Sequence, residues 1–124
     1  MTTIVLFRPV GTAELALIEA TNWRAFPPRL PDQPIFYPVM NFDYAEQIAR
    51  DWNSKHEPSR VGHVLSFDLP DDVTVRWPVQ AAGGKVHEEL WVLADELDDF
   101  NAMIIGPIRH IATYRDGVRT EEPA

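Results

Sequence analysis

The chain has 124 residues and a mass of 14.1 kDa, which suits one domain around a single hydrophobic core. Its net charge is -8, from 19 acidic and 11 basic residues with no Lys/Arg cluster, and this argues against nucleic acid and acidic membranes as partners. With 0 cysteines, a disulfide frame and a Cys-ligated zinc are both excluded.

The order of elements follows from local pattern. Thr3 to Arg8 reads as a buried strand closed by Pro9, with Arg8 at its C-terminal end. Gly11-Thr12 opens a helix whose apolar side holds Leu15, Leu17, Ile18 and Ala20, with Glu14 in the first turn where the helix dipole favours it. Thr21 to Pro34 is rich in proline but interleaves Trp23, Arg24, Phe26 and Arg29, so an ordered loop is expected there. Ile35 to Tyr37 is a short strand broken by Pro38. The helix after it starts near Asn41 to Asp43, where Asp43 and Glu46 have capping-box spacing. Phe42, Ala45, Ile48, Ala49 and Trp52 fall on one face of that helix, and Tyr44 lies just off the stripe.

Val61 to Leu69 alternates as a strand, Pro70-Asp71-Asp72 turns, and Val73 to Trp77 reads as another strand. Gln80 to Lys85, with Gly83-Gly84, is the loop expected to move most. In Val86 to Leu93, strand alternation puts His87, Glu89 and Trp91 on one face. A helix with Leu97, Phe100 and Ile104 inward stops at Gly106-Pro107, and Ile108 to Tyr114 is a last strand. The predicted organisation is one α+β domain over residues 1–114 and a polar tail over 115–124. Phe42, Ile48, Trp52, Leu90, Val92, Leu97 and Phe100 are the expected core. No run approaches the roughly 18 apolar residues of a membrane span, and MTTIVLFRP lacks a basic leader, which fits a cytoplasmic protein.

Phosphate-loop, HExxH and GxSxG motifs are absent, and the histidines have no metal-ligand spacing. What remains is Arg8, Tyr37 and Glu89 with His87. A guanidinium can grip a phosphate, a phenol ring can stack on a planar leaving group, and a carboxylate can stabilise a cationic sugar carbon. Each residue also has a plain structural reading. Arg8 fits a strand-end surface charge, Tyr37 and Tyr44 fit core-rim aromatics, Glu89 fits a cross-sheet ion pair, and His87 fits a partly buried polar residue.

The wording LFRPVG, ELALIEA, FPPRLPDQPIFYPVMN and QIARDWN, then ELWV, DFN and GPI, resembles short bacterial proteins labelled "ADP-ribosylation/crystallin" over most of Leu6 to Ile111. The label points to ADP-ribosylglycohydrolases, which are large and all-helical, whereas this chain is short and strand-rich. The layout is more similar to the ADP-ribosyltransferase-like fold, a small split β-sheet sandwich with about three helices. That resemblance implies an enzyme that cleaves NAD as substrate and passes ADP-ribose to water or to an unknown acceptor, protein included. Arg8 would contact ribose or phosphate, Tyr37 would stack on nicotinamide with Tyr44 flanking it, His87 would join the nucleotide site, and Glu89 would be the catalytic carboxylate. The loop from Gln80 would face the acceptor. No Ser-Thr-Ser motif is present, and His87 stands where many transferases carry Gln or Glu. The alternative is a non-catalytic module of the same fold that binds a nucleotide or a protein.

Overall fold

The computed structural model describes residues 2–81 and 87–120. The chain begins with β1 (Thr3–Gly11), α1 (Thr12–Glu19) and β2 (Ile35–Phe36). Next, α2 (Phe42–Ile48) runs through a π-helical turn (Ala49–Asn53) into α3 (Ser54–His56). Then come β3 (Val61–Pro70), α4 (Val73–Arg76), β4 (Gln80–Ala81), β5 (Glu88–Glu89) and β6 (Val92–Leu93). A 3-10 turn leads into α5 (Leu97–Ala102), followed by β7 (Ile105–Arg115) and β8 (Val118–Thr120). Among the described residues no helix is long and apolar enough to cross a membrane.

The architecture is α+β, framed by an antiparallel sheet of order β1-β3-β7-β8. Both faces of β3 are covered, so every residue from Val61 to Phe67 is buried, with no exposed alternate. Leu65, Phe67 and Leu69 pack with Leu6, Phe26, Phe36, Trp77 and Phe100 on one face. Val64 meets Ala45, Ala49, Ala112 and Tyr114 on the other, under the α2–π helix. Two short ladders, β2 with β6 and β4 with β5, flank the frame. Val39 bridges Phe7 of β1 on one side and Glu89 of β5 on the other, which ties the β4–β5 ladder to the edge of the main sheet.

Several expectations are corrected. Pro9 does not end β1. Phe7 donates to and accepts from Val39 at 2.9 and 2.8 Å, so Pro9, two residues on, turns its missing N–H to that side and spares the β1–β3 ladder. Val73 to Trp77 is helical rather than extended. Val73 and Trp77 are buried one turn apart while Val75 is 81% exposed, so the period was four, not two. The strand expected over Val86 to Leu93 is not continuous: Leu90 and Trp91 separate β5 from β6, and Val86 lies outside the described residues. Gly106-Pro107 lies within β7, which starts at Ile105. The tail from 115 is also structured as far as Thr120: Asp116-Gly117, at φ 49° and 85°, makes the tight turn that folds β8 onto β7. Residues 121–124 lie outside the described residues.

The largest correction is Trp52, which is 60% exposed. Ala45 and Ala49 are fully buried, as the helical stripe requires. The π turn then closes i→i+5 rather than i→i+4, so Asn53 and Ser54 take the inward positions and Trp52 swings out. Phe42 and Ile48 are half-buried, and Leu90, Val92, Leu97 and Phe100 are buried. Trp52→Ala is therefore expected to cost less than about 1 kcal/mol, against roughly 3 to 5 kcal/mol for a buried tryptophan. Paired urea melts measure the difference.

Across the β3–β7 pair runs a polar chain. Thr12 Oγ1 meets His63 Nε2 at 3.0 Å, His63 Nδ1 meets His110 Nε2 at 3.1 Å, and Thr113 Oγ1 meets the same His110 nitrogen at 3.0 Å. His63 is 1% exposed, and burial, then His110 and Arg115, push its pKa from 6.5 down to about 4. The folded protein thus binds fewer protons than the unfolded chain between those values. Stability from neutral His63 is full above about pH 6.5 and is lost as pH falls toward 4, by up to about 3 kcal/mol. His63→Gln should flatten that part of the pH–stability profile measured by urea melts.

Candidate functional site

The helix carrying Tyr44, Ile48, Trp52 and Asn53 stands opposite the loop from Arg29 to Tyr37, with the end of β1 between them. They enclose a cleft of about 700 Å³. Arg8, Tyr37, Tyr44 and Glu89 all line it.

Arg8 leaves β1 into this cleft with a side chain only 12% exposed. Its Nε and Nη2 each donate to one oxygen of Glu14 at 3.1 Å, a bidentate pair set up by Glu14 in the first turn of α1. The Arg8 guanidinium also lies 4.8 Å from the centre of the Phe36 ring. Arg29, 5.8 Å from the same ring, is the residue that sequence reasoning missed. It donates through Nε to the Gln33 carbonyl at 3.1 Å, and among the described residues no carboxylate comes within ion-pairing distance of it. Burial, with Arg8 adding to it, lowers its pKa from the ordinary value. A half-buried cation beside another cation is an anion-binding arrangement.

Glu89 sits opposite in chemistry. It is 7% exposed, and both its oxygens are held: Tyr44 Oη donates to Oε1 at 2.6 Å and Trp91 Nε1 donates to Oε2 at 2.7 Å. Tyr44 is itself placed by the cap of α2, where Asn41 Oδ1 accepts from the Tyr44 backbone N–H at 2.8 Å. The cap is Asn41 rather than the Asp43–Glu46 pair, and Glu46 instead accepts from the Tyr114 hydroxyl. Burial and the bond to Glu89 raise the Tyr44 pKa, so the phenol remains a donor at neutral pH. Tyr37, just beyond β2, is 40% exposed, as Trp91 is at 46%, and both line the cleft. Trp91 was legible as a partner for Glu89, because the two were expected on one strand face.

His87 does not join them. It precedes β5, so strand alternation does not reach it, and it lines an adjoining depression of about 320 Å³ that shares Tyr44, Ile48 and Trp52 with the cleft. Its Nε2 lies 3.0 Å from Gln47 Oε1, and its ring centre is 4.8 Å from that of Tyr44. Of the expected acceptor loop, Gln80 and Ala81 form β4 against Glu89 and Glu88, and 82–86 lie outside the described residues. Among the described residues no three His, Asp or Glu side chains gather where a metal ion would fit. Comparison of the chain with family models, with curated proteins and with solved structures gives no match.

Proposed function

We propose that the cleft binds NAD and that the chain transfers ADP-ribose from it, with Glu89 as the carboxylate beside the reacting sugar carbon. The observation that carries the reading is the pairing of opposites in one cleft: a fixed, buried carboxylate and a guanidinium with no acidic partner among the described residues. Arg29 would take the diphosphate, with Arg8 beside it, and the exposed ring of Tyr37 would stack on nicotinamide. In the reaction the C1′–N bond breaks, and its electron pair neutralises the pyridinium as nicotinamide leaves. The acceptor's lone pair then bonds to C1′, and the acceptor's proton is released. Positive charge passes through the ribose ring on the way, where an oriented carboxylate lowers its energy. The β4–β5 ladder, tied to β1 through Val39, supports an ADP-ribosyltransferase-like split sheet.

A second reading is a non-catalytic nucleotide-binding module. Glu89 favours it, since both its oxygens are already taken by Tyr44 and Trp91, as in a purely structural carboxylate. Calorimetric titration with NAD and with ADP-ribose, beside timed release of nicotinamide, separates the two. Binding with release supports the enzyme; binding without release with any acceptor offered leaves the module; no binding removes both.

A further inference from the structure

His63, His110 and Thr113 lie on the main sheet and line no part of the cleft just described. Thr113 faces His63 directly across the β3–β7 ladder. His110 comes three residues before Thr113, and in a regular strand that spacing would turn the two side chains to opposite faces. The register shift there pairs Val64 with Ala112 and Leu65 with His110, so Ile111 is the extra residue of a bulge. The bulge re-aims His110 onto the face of His63 and Thr113, and three heteroatoms converge. His63 Nδ1 and Thr113 Oγ1 lie 3.1 and 3.0 Å from His110 Nε2.

A ring nitrogen has one in-plane bonding direction, yet His110 Nε2 has two neighbours at bonding distance, so a hydrogen-bonded chain serves one of them well and not both. A shared metal ion serves all three atoms. Neighbouring ligands on an ion with bonds of about 2.1 Å stand about 3.0 to 3.4 Å apart, which is the spacing here. The rings also lean toward a common point. Nitrogens 3.1 Å apart in a head-on hydrogen bond would set the ring centres about 5.4 Å apart, whereas both bound to one ion they would stand about 4.8 Å apart. The separation is 4.9 Å. Behind the pair are the outer contacts that metal-bound histidines need. Thr12 Oγ1 lies 3.0 Å from the far nitrogen of His63, Nε2, and a backbone hydrogen bond at Ala112 holds the His110 ring. With its proton on Nε2, donated to Thr12, neutral His63 turns a bare Nδ1 to the ion. No carboxylate joins these ligands, and Arg115 shares a cavity with Thr12 and His63, so a hard ion such as magnesium is disfavoured. Imidazoles suit the late first-row ions. His110 is half-buried, which gives the ion a way in, and water completes its coordination.

We propose that His63 Nδ1, His110 Nε2 and Thr113 Oγ1 bind one late first-row divalent cation of the zinc and nickel class. The site stands apart from the cleft and does not rest on the NAD reading. Calorimetry on the full chain with zinc, nickel and magnesium chlorides tests it. Zinc and nickel should each bind at one equivalent, and magnesium should not bind. His110→Ala should weaken zinc by about tenfold or more, since losing an outer contact alone costs that much. His56→Gln, which alters a ring stacked on Trp52 away from the pair, should leave zinc affinity unchanged. The melting temperature shows whether His110→Ala is folded. If it is not, the imidazole nitrogen NMR shifts of the wild type decide, and zinc should move those of His63 Nδ1 and His110 Nε2. Absence of zinc binding, zinc affinity unchanged in folded His110→Ala, or shifts confined to His56 and His87 overturns the proposal.

Discussion

Gly62→Ala should be among the most destabilising single substitutions in this chain, on the order of 3 kcal/mol or more, with Tm lowered by about 10 °C. Gly62 lies in β3, paired with Gly11 and Tyr114 on either side. A Cβ there would stand 2.2 Å from the Ala49 carbonyl oxygen, 2.9 Å from its carbon and 2.9 Å from Asn53 Cβ. The first two obstacles are backbone, so no rotamer change relieves them. They belong to the π turn, which must rest directly on the central strand to bury Asn53 and Ser54. Adding one methyl thus forces the helix off the sheet and opens the contact between Ala49 and Val64. Cys or Ser at this position should fail equally, since the clash is at Cβ. A Gly62→Ala melt that overlays the wild type would show that helix and strand do not meet at this distance.

The same turn explains where sequence reading stopped. Apolar periodicity found the α2 helix and its buried alanines, because Ala45 and Ala49 obey the ordinary helical spacing. It could not register a π turn, whose signal is a change of phase rather than of composition, and so it assigned Trp52 to the core. Residue type misled in the same way at Val73 to Trp77, where valines and a tryptophan fit period two and period four equally well. Asp116-Gly117 was legible as a hairpin turn and was passed over because the residues around it are polar. The main strands were readable from β-branched, apolar runs. For the site, Arg8, Tyr37, Tyr44 and Glu89 were named from residue type and resemblance, and the fold gathers them in one cleft. Arg29 was not, because what marks it is the lack, among the described residues, of a partner of opposite charge. That lack becomes visible only in the fold.

If the proposed NAD chemistry holds, Glu89→Gln should lower nicotinamide release by roughly 10²- to 10³-fold while changing NAD affinity only a few-fold. The substitution is mild for the fold. Glutamine fills the same volume, and its oxygen can still accept from Trp91, which can only donate. Its NH2 then faces Tyr44, whose hydroxyl can rotate to accept. What is lost is the negative charge, and that matters most when positive charge has built up on the ribose carbon. The loss therefore falls on the transition state more than on bound NAD, and it appears in kcat. Arg29→Ala should behave in the opposite sense, because a diphosphate contact is made equally before and during bond cleavage. Its effect belongs in NAD affinity and KM, with kcat nearly preserved. Timed nicotinamide release and calorimetric affinity for wild type, Glu89→Gln and Arg29→Ala give the two-by-two comparison. Equal turnover in Glu89→Gln and wild type would remove Glu89 from the chemistry and leave it as a buried carboxylate that holds Tyr44 and Trp91 in place.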